Sequence, residues 1–188
     1  MNAKPLLLLL LAPAVVAPAF AQTRVVKSSF GALPTGQPVD LYTLTDAQLE
    51  VKLTTFGAHV TSILAPDRSG KKADVVLGYD TFEGYQHDNK TYMGSIVGRY
   101  GNRIARGAFT LEGQQYHLPQ NNGVNTLHGG TLGFDRMVWT GKQIPSGVEF
   151  TLVSKDGDQG FPGTLTAHVR YTLKGDALHI DYLSLIHI

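Results

Sequence analysis

The sequence predicts an all-β fold, a sandwich of many short strands, and three observations carry that prediction. The clearest apolar patterns have period two: in TLTAHVRYTL, Leu165, Ala167, Val169, Tyr171 and Leu173 fall on one face and Thr166, His168, Arg170 and Thr172 on the other. Turn formers are dense, with 21 glycines and 9 prolines among 188 residues, so apolar runs are repeatedly cut short. In FTLEGQQYHL, Glu112-Gly113 sits between two short alternating runs, an acidic residue followed by glycine being a strong signal for a two-residue hairpin turn.

The chain opens with Lys4, an apolar run over Leu6–Leu11 and then Ala19-Phe20-Ala21, an A-x-A cleavage pattern. This predicts a secretory signal peptide over residues 1–21 and an exported, periplasmic protein, with 188 − 21 = 167 residues remaining. A transmembrane anchor fits less well, because the run falls short of the roughly 20 apolar residues that a bilayer needs. Residues 22–38 read as a lead-in in which Gly31, Pro34, Gly36 and Pro38 discourage regular structure, and residues 39–188 as the β-sandwich domain. VDLYTL and QLEVKLTTF alternate around Thr45-Asp46 as a hairpin does, HVTSILA is a further strand, and Pro66-Asp67-Arg68-Ser69-Gly70 is a turn by composition. DVVLGY, short and β-branched, suits a central buried strand, followed by a polar, aromatic loop in TFEGYQHDNKTY. VEFTLVSK alternates again, DGDQGFPG is a glycine-rich loop, and Gly175-Asp176 turns the chain from TLTAHVRYTL into ALHIDYLSL.

Composition narrows the function classes. A formal net charge of +1, from 16 basic and 15 acidic residues, predicts no partnership with nucleic acid or with an anionic membrane surface. The absence of cysteine excludes disulfides, thiolate metal sites and a cysteine nucleophile. His87 and Asp88 lack a matching ligand cluster for a metal. The Asp156-Gly157-Asp158 run lacks the terminal glutamate of an EF-hand loop, since the twelfth position is Ala167.

The polar specificity gathers between Gly98 and Trp139. Arg103 offers a rigid fork of donors, Asn102 both a donor and an acceptor, and His128 a group that donates or accepts near neutral pH, a set suited to neighbouring hydroxyls. Gly129 and Gly130 remove side-chain bulk beside His128 and permit close approach. Without any resemblance, the residues fit better an ion-paired surface arginine, a satisfied loop histidine and glycines that simply form turns.

The ordered motifs resemble those of the aldose 1-epimerase (galactose mutarotase) family. They are Gly98, Arg99, Asn102, Arg103 and Ile104; Leu118, Pro119, Asn121 and Asn122; Asn125, Leu127, His128, Gly129 and Gly130; then Gly133, Phe134, Asp135 and Trp139. The likeness runs from about Gly36 to Tyr182. It implies a galactose-mutarotase-like supersandwich, of which this sequence holds the N-terminal portion, and interconversion of the α and β anomers of an aldose such as galactose or glucose without metal or organic cofactor. Asn102, Arg103 and His128 match the substrate-binding residues, His128 being an auxiliary catalytic group that contacts the sugar ring. Arg99 and Asp135 also belong to the motif but read as structural, an ion pair.

The glutamate base, a second histidine and an aspartate of the family match nothing here, so the sequence reads as an incomplete chain whose final LSLIHI departs from the family pattern. Part of a sandwich exposes strand edges and an apolar face. The alternative is a noncatalytic carbohydrate-binding β-sandwich, or an inactive truncated relative. An enzyme for hexose 6-phosphates would need a basic cluster that the sequence does not show.

Overall fold

The computed structural model describes residues 23–88 and 91–187. The predicted signal peptide lies outside them. In chain order the elements are β1 (Arg24–Ala32), β2 (Pro38–Thr45), β3 (Glu50–Thr54), β4 (Val60–Pro66), β5 (Lys72–Asp74), α1 (Phe82–His87), β6 (Arg103–Ile104), β7 (Ala108–Leu111), β8 (Gln114–His117), β9 (Thr126–Leu127), β10 (Thr140–Ile144), β11 (Gly147–Ser154), β12 (Thr164–Lys174) and β13 (Ala177–His187). Strands β1 to β5 form one antiparallel sheet in sequence order, and β10 to β13 form a second. The predicted all-β sandwich is present.

The two sheets face each other across one core. Tyr42, Leu44, Val51 and Leu53 from the first meet Val148, Phe150, Val169 and Tyr171 from the second, with Trp139 among them. Phe150 is wedged edge-on between Tyr42 and Tyr171, at 5.7 and 5.8 Å between ring centroids, geometries that aromatic quadrupoles favour. The polar ends of these rings are satisfied across the sandwich: the Tyr171 hydroxyl donates to the Ala58 carbonyl at 2.8 Å and the Tyr42 hydroxyl to the Gly141 carbonyl at 3.0 Å. The alternation along TLTAHVRYTL has the predicted sense, Ala167, Val169, Tyr171 and Leu173 being buried.

Three expectations are corrected. The lead-in is regular: β1 pairs along its whole length with β2, and the glycine and proline cluster makes the turn between them, closed by Leu33 N–H to Gln37 O at 2.9 Å. Cross-strand pairing outweighs the local signals there. DVVLGY is not a central strand. Asp74 ends β5, its carboxylate accepting from the backbone N–H groups of Ile63 and Val76, and the chain leaves the sheet edge with Val75 and Leu77 64% and 79% exposed. TFEGYQHDNKTY holds the helical turn α1, because Phe82 and Tyr85, three residues apart, both bury against Phe30, and Phe82 also meets Phe56.

The outer strand β13 pairs with β12 over eleven residues yet leaves Ile180, Tyr182, Leu183, Leu185 and Ile186 exposed. Strand β13 thus presents an open edge and an apolar surface to solvent.

The hydroxyl of Tyr171, itself wholly buried, ties β12 to the turn before β4. Tyr171→Phe leaves the Ala58 carbonyl without its donor in a dry site and lowers unfolding stability by about 1–3 kcal/mol in urea denaturation.

Candidate functional site

The loops between the two sheets carry the candidate residues. The smallest ladder in the fold, β6 with β9, sets Arg103 opposite Leu127. One step further, His128 N–H donates to Asn102 O at 2.9 Å, so Asn102 and His128 face each other as the next pair. Strand register thus brings residues 26 apart in sequence side by side. The ladder is braced by Asn121, whose side-chain amide donates to Leu127 O and Gly130 O at 2.9 and 2.7 Å while its oxygen accepts Leu127 N–H at 2.7 Å.

The glycines after His128 are a steric requirement. A Cβ on Gly129 would lie 1.7 Å from the Gly98 carbonyl oxygen, and its φ of +91° is one that side chains avoid. The two family-like segments, GRYGNRI and HGG, touch through bare backbone. The hairpin β7–β8 between them forms as predicted, with Glu112 and Gly113 at φ of 50° and 81°, the positive values of a type I′ turn.

At the tip of the ladder the side chains interlock. Arg103 Nε donates to Asn122 Oδ1 at 2.9 Å and Arg103 Nη1 to Asn102 Oδ1 at 3.1 Å. The Asn102 backbone N–H donates to His128 Nδ1 at 3.0 Å. A backbone N–H can only donate, so Nδ1 accepts and the neutral ring carries its proton on Nε2. Burial, and next the Arg103 guanidinium, hold the His128 pKa below the ordinary histidine value, which keeps the imidazole neutral. Among the described residues nothing bonds Nε2 or Arg103 Nη2. Both remain donors for a ligand.

Beside these groups opens a cleft of about 760 Å³ lined by Tyr92, Arg103, Asn121, Asn122, Asp135 and Arg136, among others, within the roughly 300–1,000 Å³ of small-molecule sites. The three predicted substrate residues, Asn102, Arg103 and His128, are therefore brought together. Arg99 and Asp135 are not. Arg99 reaches the other way, donating to Ser154 Oγ, Ser154 O, Lys155 O and Pro162 O at 2.7–2.8 Å, and so pins the DGDQGFPG loop. In place of the predicted ion pair, four fixed acceptors take up the guanidinium fork.

Asp135 is 9% exposed in the cleft wall. Burial raises its pKa to about 6.

Residues that sequence reasoning missed are the brace Asn121, quoted in its motif but given no role, and Tyr92, whose ring packs edge-on against His128 at 4.5 Å. The paired amides of LPQNN are a signal for the first; no local pattern marks the second. His168 points away from the site, bonded to Thr151 Oγ1 at 3.0 Å on the outer face of the sheet. Among the described residues no three histidine, aspartate or glutamate side chains gather as metal ligands.

A two-sheet β fold that gathers an arginine, an asparagine and a neutral histidine on one loop ladder, with the arginine lining a small cleft, defines a galactose-mutarotase-like sandwich, and solved structures agree. A galactose 1-epimerase from Lactobacillus acidophilus superposes with a TM-score of 0.72 at 28% identity, covering 88% of this chain and 49% of that one. An aldose epimerase homologue from Caenorhabditis elegans gives 0.71 at 33%, covering 74% and 43%. The aldose 1-epimerase family model matches residues 40–185, and the chain belongs to that family. Galactose mutarotase of Bos taurus is 46% identical over 159 residues, 84% of this chain and 46% of its own length. Aldose 1-epimerase of Escherichia coli is 43% identical over 145 residues, 76% and 42% respectively. The chain spans about half the length of the curated relatives it matches.

The Asp135 carboxyl makes stability depend on pH. Its folded pKa lies above the ordinary value of 3.8, so between pH 3.8 and about 6 the folded state holds more protons than the unfolded one and stability falls as pH rises. Asp135→Asn removes that fall. The variant is more stable than the parent by about 1–3 kcal/mol at pH 7.5, and the gain vanishes below pH 4, as read by urea denaturation across pH.

Proposed function

We propose that these residues form the sugar-holding side of an aldose 1-epimerase that interconverts the α and β anomers of an aldose such as galactose. The observation that carries this reading is the shared ladder of Asn102, Arg103 and His128, which leaves Arg103 Nη2 and His128 Nε2 as donors beside the cleft. Hydroxyls in a fixed arrangement are the natural partners of such donors. Family membership, and relatives named galactose mutarotase and aldose 1-epimerase, support the sugar class.

Anomer exchange needs a base for the anomeric hydroxyl proton and an acid for the ring oxygen, after which C1–C2 rotation and reclosure invert the centre. Each positioned group contributes about 10²–10⁴-fold. His128, neutral with its proton on Nε2, serves to bind and polarise an oxygen of the ring. The family's glutamate base and second histidine match no residue of this sequence, so neither the acid nor the base is assigned to a residue here. Export to the periplasm belongs to the same proposal, supported by Lys4, Leu6–Leu11 and Ala19-Phe20-Ala21.

Calorimetric titration with D-galactose tests the site. The chain binds the sugar, and His128→Ala and Arg103→Ala each weaken binding about tenfold or more, the loss of one charged or oriented hydrogen bond. Polarimetry of freshly dissolved α-D-galactose then tests the activity. Faster mutarotation than the buffer blank, lost in His128→Ala, supports an enzyme complete in this chain. A blank rate from chain that binds galactose supports acid and base located elsewhere. A chain that neither binds galactose nor accelerates its mutarotation overturns the reading.

A further inference from the structure

We propose that Tyr92 is a positioning residue of this site: its ring holds the His128 imidazole in the orientation that directs Nδ1 at the Asn102 N–H and leaves Nε2 for the ligand. That the ligand is a sugar rests on the proposed function; the positioning does not.

An imidazole held only by its own Cβ–Cγ bond turns over easily and offers either nitrogen. In this site two contacts fix it. The Asn102 N–H takes Nδ1 at 3.0 Å, and the Tyr92 ring stands against the imidazole at 4.5 Å between centroids and 61° between planes. Tyr92 is itself firmly held. Its φ of 52° is rare for an aromatic residue and persists only where the surroundings impose it.

They do so through a tight turn. The Tyr92 carbonyl accepts from both Ser95 N–H, at 3.3 Å, and Ser95 Oγ, at 3.0 Å. Gly94, next along, is bonded through its carbonyl to Val60 N–H at 2.9 Å, and a Cβ there would lie 2.3 Å from Val60 O. The turn is therefore anchored to β4, in the rigid first sheet.

The ring bridges two spaces. It lines the open cleft with Arg103 and Asp135, and it also closes a small space shared with His59, Asp88, Asp135 and Arg136. That wall stands behind the ring on the side away from the open cleft. The charged groups are divided accordingly: Arg103 acts on His128, while Asp135, Arg136 and Asp88 act on the Tyr92 hydroxyl. Burial, then Asp135, raise the phenol pKa, so the ring stays neutral. The ring meets the imidazole in a T-shaped contact.

The test is long-range ¹H–¹⁵N spectroscopy of the histidine rings in the full chain, the His128 signals being assigned by their loss in His128→Gln. The parent and Tyr92→Phe, which keeps the ring edge, show a single Nε2–H tautomer at neutral pH. Tyr92→Leu, and Tyr92→Met as a second ringless variant that fills the gap flexibly, show an Nδ1–H population raised several-fold, with the near-ultraviolet dichroism of Trp139 confirming the fold. Ringless, folded variants that keep the single tautomer overturn the proposal, as does loss of it in Tyr92→Phe. In galactose titrations, Tyr92→Leu raises Kd about tenfold with His128 present and less than about twofold in a His128→Gln background. Equal losses in both backgrounds overturn the positioning role. A parent chain that binds no galactose sinks the sugar reading, and the tautomer result still decides the role of Tyr92.

Discussion

The contact between Gly129 and Gly98 sets the rest of the site. Their backbones meet so closely that a single added methyl would overlap the Gly98 carbonyl oxygen. Because they meet, the strand fragments that flank them fall into register, Arg103 opposite Leu127 and Asn102 opposite His128. Hydrogen bonding then follows from geometry: the Asn102 N–H, left over at the end of a two-residue ladder, finds His128 Nδ1 and settles which nitrogen keeps the proton. The arrangement of donors here is a consequence of strand register.

Such a short ladder could not hold this arrangement alone. It is held by long-range ties to the sandwich. Arg99, next to Gly98, is clamped by four acceptors at the end of β11 and in the loop before β12. Trp139 N–H bonds Thr55 O at 2.7 Å, and its indole N–H bonds Phe134 O at 3.0 Å, so the segment after His128 is fastened to the first sheet and to itself. Arg136 donates to the carbonyls of Asp88 and Gln86 at 2.8 and 3.0 Å, joining the cleft wall to the end of α1. The two sheets supply stiffness and the loops between them supply the donors, a division that lets polar groups face water without exposing the core.

Sequence patterns revealed what depends on local spacing. The strict alternation of TLTAHVRYTL gave its buried face correctly, and Glu112-Gly113 made its turn. Family-like motifs identified Asn102, Arg103 and His128, which the fold assembles. What failed depended on neighbours distant in sequence. DVVLGY has a buried strand's composition but lies at a sheet edge, where Asp74 turns it outward. Arg24–Ala32 reads as irregular until β2 pairs with it. Arg99 and Asp135 share a motif and a charge complementarity, yet the guanidinium finds its acceptors in the loop after β11. Tyr92 carries no local signal, because its left-handed backbone is imposed by β4 and its role depends on a histidine 36 residues away.

The most direct test of the account is a crystal structure of the protein with D-galactose. The account predicts the sugar in the cleft beside Tyr92, with its oxygens accepting from His128 Nε2 and Arg103 Nη2 at about 2.7–3.2 Å. His128 Nδ1 should still accept from the Asn102 N–H. Galactose bound elsewhere on the sandwich, or in the cleft with the imidazole turned so that Nδ1 faces the sugar, would contradict it.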